Sequence, residues 1–153
     1  MVRRMSLPRP VRLAVRAVLL HEDRLLLVNA YKGRGDLWCA PGGGVEPHAS
    51  LPDNLARELH EECGLSVEVG APCLVNEFNA APQFHQVEIF FRCRLRGRAS
   101  AGDWTDPEGI VSHRRWVTRA EMAGLTVKPE SLAAIAWDGA EAAHYDPLEP
   151  ILP

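Results

Sequence analysis

The sequence predicts an α+β domain in which a mixed β-sheet lies between helices. Three observations point there. Short apolar runs recur along the chain, a strongly patterned helix interrupts them after Ser50, and a second helical pattern follows the last of them near Lys128. At 153 residues the chain is sized for one domain with a real core. Its apolar fraction of 46% and charged fraction of 24% are ordinary for a soluble globular protein.

Residues 1–10 hold three arginines and two prolines and read as a lead-in, which leaves 11–139 as the domain and 140–153, with three prolines, as an irregular tail. Val11–Leu20 and Leu25–Val28 are apolar enough for strands, with His21-Glu22-Asp23-Arg24 as the hairpin turn between them. Tyr31–Asp36 is a loop, and Leu37–Ala40 a short apolar run ending at Pro41. Gly42, Gly43 and Gly44 form a backbone device, a turn that permits positive φ or the close approach of another group. Ser50 caps the helix that follows, with Asp53 as its capping-box partner and Pro52 harmless in the first turn. Leu55, Leu59 and Cys63 form its buried stripe, and Gly64 stops it. Beyond it, Leu65–Val69 and Pro72–Phe78 read as two strands and Val87–Leu95 as a third, with good alternation. After a polar loop, 98–109, come a strand at Ser112–Val117, the start of a short helix at Thr118–Leu125, and a helix over Lys128–Trp137.

Charge and cysteine usage narrow the function classes. A net charge of -3 offers no general attraction for nucleic acid or an anionic membrane. Cys39, Cys63, Cys73 and Cys93 form no C-x-x-C pair, which argues against zinc and for buried thiols in a reducing cytoplasm. The basic start has no apolar segment behind it, so neither a signal peptide nor a membrane span is expected.

The helix itself carries the chemistry. At about 100° per residue, Glu58, Glu61 and Glu62 fall within an arc of roughly 100°. Like charges so placed repel, and a hard cation such as Mg²⁺ or Mn²⁺ relieves them. The bland alternative is a solvated helix face with an Arg57–Glu61 pair at i, i+4.

The stretch Gly43–Leu65, ending Arg57-Glu58-Leu59-His60-Glu61-Glu62-Cys63-Gly64-Leu65, resembles the Nudix box. It departs at one place: Ala49 stands where the box has its first Glu, and Glu46 is a nearby acid able to substitute. The resemblance implies an α/β/α sandwich and a Mg²⁺-dependent hydrolase of phosphoanhydrides in nucleoside diphosphate derivatives. It implies that Glu61 and Glu62 ligate metal, that Glu58 is a ligand or the base, and that Arg57 orients Glu58. It further suggests a fourth acid from a later loop or strand, with Glu108, Glu88 and Glu77 as candidates, although a surface carboxylate is the plainer reading of each. His85 reads as structural or as a surface group. Substrate contacts are expected from Gly42, Gly43, Gly44, Tyr31 and Phe84, with Phe78 a further stacking candidate and Trp38 and Trp116 assigned to the core.

The partner class is a small nucleotide, with no nucleic acid and no membrane, and a homodimer is within what the resemblance allows. Markers of particular substrates are weak. Pro82 stands near the place where ADP-ribose-cleaving members carry a proline, and Ala81 where members that cleave dinucleoside polyphosphates have a tyrosine. The competing class is a Nudix-fold module that binds a nucleotide without cleaving it, which the change at Ala49 keeps open.

Overall fold

A hairpin opens the fold: β1 (Arg12–His21) and β2 (Arg24–Asn29) turn at Glu22 and Asp23, whose φ values of 50° and 63° are both left-handed. That is the two-residue geometry that matches the right-handed twist of paired strands. A computed structural model describes residues 10–29, 35–80, 82, 84–97, 113–139, 142–146 and 149–150. Next come β3 (Leu37–Cys39), β4 (Gly42–Gly44), α1 (Leu51–Cys63), β5 (Val67–Ala80) and β6 (Phe84–Leu95). The remainder is β7 (His113–Val117), α2 (Arg119–Met122), β8 (Thr126–Lys128), α3 (Leu132–Trp137), β9 (His144–Tyr145) and β10 (Glu149–Pro150).

The sheet is mixed, as expected. Its strands run in the order β10-β5-β6-β1-β2-β3-β8, with β4 on β1, β7 on β2 and β9 on β5. β1 is the hub. It runs parallel to β6 from Arg12↔Gln86 to Leu19↔Cys93, and antiparallel to β4 at Ala14↔Gly44, Val15↔Gly43 and Arg16↔Gly42. Alternation along β1 feeds two cores. Val15, Ala17 and Leu19 pack with Leu55, Leu59 and Cys63 of α1. Val18, with Leu74 and Phe90, packs with Met122 of α2 and with Leu132 and Ala136 of α3. Helices therefore cover both faces, and each fully buried leucine contributes about 1.5–3 kcal/mol.

Four expectations are corrected. Gly42–Gly44 is a strand and not a turn, because β1 offers it a ladder. Leu65–Val69 and Pro72–Phe78 are not two strands. One strand, β5, passes through Gly70 with register shifts at Pro72, since β6 pairs with it from Val67↔Leu95 to Ala80↔Phe84 and imposes continuity. The last helix begins at Leu132, and Thr126–Lys128 pairs in parallel with β3. Pro129 disfavours helical geometry at the preceding Lys128 and leaves it extended. In the tail, His144–Tyr145 and Glu149–Pro150 each add a short strand to β5.

Cys39, Cys63 and Cys73 are buried, Cys93 is half-buried, and none is in a disulfide. Burial pushes the Cys93 thiol up to about 12 and raises Cys73 as well, which leaves both poorly nucleophilic. Among the described residues, no helix is long and apolar enough to cross a membrane.

Candidate active site

The acidic helix is held firmly at both ends. The Ser50 hydroxyl accepts from the Asp53 N–H at 3.1 Å, so Asp53 takes part through its backbone. At the far end Gly64 is left-handed, with φ 65°, and its N–H returns to the His60 carbonyl at 3.0 Å. Arg114 of β7 donates to the Cys63 carbonyl, a cation where the helix dipole is negative.

Between these ends the charged side chains gather on Arg57. Its Nη1 lies 3.3 Å from Glu58 Oε1, 3.3 Å from Glu61 Oε2 and 3.7 Å from Glu46 Oε1. The i, i+4 pair expected of a plain solvated face is present, but it is one arm of a larger cluster. Glu62 is half-buried on the next position of the helix. A cleft of about 440 Å³ opens here, lined by Arg12, Gly44, Val45, Glu46, Arg57, Glu58 and Glu61.

The glycines shape one wall. A Cβ on Gly43 would lie 2.6 Å from the Glu58 carboxyl, so the missing side chain is the space that the carboxylate occupies. A Cβ on Gly44 would lie 2.7 Å from Arg12 Nη2, because that guanidinium rests over the glycine. A Cβ on Gly42 would lie 1.9 Å from the Val15 carbonyl oxygen, so this glycine serves strand pairing. The close approach anticipated from the glycine run is real, and its partners within the chain are Glu58, Arg12 and β1.

Two contributors were not singled out in the sequence. Arg12 sits on β1 two residues before Ala14 and four before Arg16, and this charged alternation in an apolar strand was the available signal. Asn54 is fully buried in the first turns of α1, with only its position beside the apolar stripe to mark it.

The other candidates fare differently. Glu88 is not a surface carboxylate: it is 1% exposed, faces Arg16 Nε, and accepts from Gln86 Nε2 at 2.9 Å and Asn76 Nδ2 at 3.3 Å. Its carboxylate is enclosed by side chains of three adjacent strands, Arg16 of β1, Asn76 of β5 and Gln86 of β6. Arg16 in turn donates to the Ala40 carbonyl at 3.0 Å, just ahead of β4. Glu77 is half-buried, 3.9 Å from His85 Nε2. Phe78 is in the core, 1% exposed, and Trp38 and Trp116 pack against the two cores. Phe84 is half-buried at the start of β6, opposite Ala80, and does not line the cleft. Tyr31, Ala81 and Glu108 lie outside the described residues.

Carboxylate oxygens on the wall of an open cleft suit a hard divalent cation. Among the described residues no three His, Cys, Asp or Glu side chains stand grouped for a metal. Arg57 takes the place of the neutralising cation between Glu58 and Glu61.

The sequence profile of the NUDIX domain matches residues 10–138. The chain belongs to the NUDIX family. Among its curated relatives, diphosphoinositol polyphosphate phosphohydrolase 2 of Rattus norvegicus is 33% identical over 95 residues, covering 62% of this chain and 50% of the relative. Human diphosphoinositol polyphosphate phosphohydrolase 3-alpha is also 33% identical over 95 residues, covering 62% of this chain and 55% of the relative. The chain thus spans about half the length of the curated relatives it matches. Of solved structures, a NUDIX hydrolase from Nitrosomonas europaea superposes with a TM-score of 0.71 at 20% identity, over 93% of this chain and 80% of that one. A UDP-X diphosphatase does so at 0.66 and 19%, over 94% and 70% respectively. These likenesses establish the NUDIX fold, an α+β sandwich.

Proposed function

We propose that the chain is a divalent-metal-dependent pyrophosphohydrolase. Its substrate is a small nucleoside diphosphate linked to a group X, a triphosphate, ADP-ribose or nucleotide sugar. The observation that carries this reading is the cleft in which Glu58 and Glu61 share Arg57 on one wall while Arg12 lies over Gly44 on another. A phosphoanhydride needs charge neutralisation, in-line water and a proton acceptor, and little covalent help.

Glu61 and Glu62, with Glu58 beside them, would hold Mg²⁺ or Mn²⁺, and the bound ion supplies charge neutralisation and activates water. Glu58, seated against Gly43 and tied to Arg57, takes the proton of the attacking water. Arg12 receives a phosphate oxygen, as a planar fork of donors is suited to do. The new bond joins water oxygen to phosphorus, and the bridging oxygen leaves with the other phosphate.

Replacing Glu62 with Gln removes charge but keeps shape and should lower turnover at least about a hundredfold. Full turnover in EDTA would overturn metal dependence. Hydrolysis in ¹⁸O water should label one product phosphate, and label in neither would refute attack at phosphorus. The relatives' name favours a second reading, a diphosphate borne on a phosphorylated polyol. A panel of nucleotides beside a diphosphorylated inositol phosphate decides between them by kcat/KM.

A further inference from the structure

Ala49 stands where the box has a glutamate, and its methyl group cannot hold Arg57. Besides Glu58 and Glu61, two side chains reach that guanidinium. Glu46 does so from 3.7 Å with 70% of its side chain exposed. A contact that long and that wet is a surface ion pair and contributes little. Asn54 is 0% exposed, and its Oδ1 accepts from Arg57 Nη2 at 2.9 Å. A part-buried bond to a charged group at full hydrogen-bond distance is stronger.

The rest of the Asn54 amide is spent on the loop that contains Ala49. Its Oδ1 also accepts the Glu46 N–H at 2.9 Å. Its Nδ2 faces the carbonyls of Glu46 and Ala49, each at 3.2 Å, and of Ser50 at 2.9 Å. These partners dictate the orientation of the amide. Exchanging Oδ1 and Nδ2 would set an oxygen against three carbonyls and a nitrogen against two donors. The oxygen is therefore fixed toward Arg57, and Arg57 toward Glu58 Oε1 and Glu61 Oε2.

We propose that Asn54 is a positioning residue that does here the work of the box glutamate replaced by Ala49: it holds Arg57, and through Arg57 the Glu58 carboxylate, while lashing the 46–50 loop to α1. This deepens the hydrolase reading and rests on it for its kinetic arm only.

The test uses the full chain with Asn54→Ala, Asn54→Asp, Glu46→Gln, Ala49→Glu and the double variant Asn54→Ala/Ala49→Glu. Turnover, Mn²⁺ affinity by calorimetry, melting temperature and the Arg57 Nε–Hε NMR signal are read for each. Asn54→Ala should lose at least about tenfold in turnover through misplacement, and its Arg57 signal should collapse toward that of a mobile arginine. Asn54→Asp keeps the acceptor and loses the donors, so it should melt lower yet retain turnover within about threefold. Glu46→Gln should lose clearly less turnover than Asn54→Ala, and Ala49→Glu alone should change turnover less than about threefold, as expected at an exposed position.

The decisive arm is the double variant, in which the carboxylate introduced by Ala49→Glu should restore most of the lost turnover and the ordered Arg57 signal. An unchanged Arg57 signal in Asn54→Ala, no rescue by Ala49→Glu, or an equal loss in Glu46→Gln would each overturn the assignment. If Asn54→Ala does not fold, a loss of the Arg57 signal in Asn54→Asp does the same. If no substrate of the panel is cleaved, the hydrolase reading fails, while the Arg57 signal and Mn²⁺ affinity still decide the role of Asn54.

Discussion

Glu58 is the side chain around which the site is drawn, and Gly43 is the reason it fits. Its carboxyl occupies the space where a Cβ on Gly43 would lie 2.6 Å away. That group is the far end of a flexible side chain, so Gly43→Ala displaces the carboxylate without requiring the backbone to move. Turnover should therefore fall at least about tenfold by misplacement of the reacting group. The melting temperature should stay within a few degrees, because a surface-accessible adjustment changes stability by only about 0.5 kcal/mol. A folded Gly43→Ala protein with full turnover would show that the Glu58 position is not needed.

At the scale of elements, the site is a joint between β4 and α1. β4 has only its three residues to pair with β1, and its fit depends on Gly42. There an added Cβ would meet the Val15 backbone oxygen at 1.9 Å, and a backbone cannot rotate out of the way. Gly42→Ala should therefore destabilise the fold by about 3 kcal/mol, at the upper end of overpacking. Denaturant midpoints of the two glycine variants measure the contrast: Gly42→Ala should shift far more than Gly43→Ala. Equal shifts would mean that the β1–β4 ladder does not carry the load assigned to it. The α1 end of the joint is secured by the Ser50 cap, the Gly64 stop and Arg114 from β7, so the helix is presented rigidly to the cleft.

Over the whole molecule, one polar tie runs through the middle of the sheet. Glu88 on β6 gathers Arg16 on β1, Asn76 on β5 and its own neighbour Gln86, and Arg16 carries the connection to the Ala40 carbonyl at the entry to β4. Arg16 has a side chain only 11% exposed, so removing Glu88 takes a counter-charge away from a cation in the interior. Glu88→Ala should destabilise the protein by about 3–5 kcal/mol, and replacing Arg16 and Glu88 together with Leu should recover most of that. Urea titrations of the two proteins test this, and a double variant as unstable as Glu88→Ala would refute the charge argument.

The helix with its cap and stop, the acidic arc with Arg57, the mixed sheet between helices and the family are all legible in the residues alone. These rest on local rules, namely a period of 3.6 residues, a serine before an apolar stripe and a glycine after it. The remaining features depend on partners distant in the chain. β1, more than two dozen residues earlier, turned the glycine run into a strand, and β6 fused two strand segments into β5. Pairing of β6 with β1 and β5 brought Arg16 and Asn76 to Glu88 and made it a structural anchor. Arg12 joined the cleft because β1 lies beside β4. Asn54 became the hub of the 46–50 loop because that loop folds back over the first turn of α1. Spacing along a helix reports which side chains share a face, but a hydrogen bond across strands or from helix to loop exists only once the chain has closed on itself.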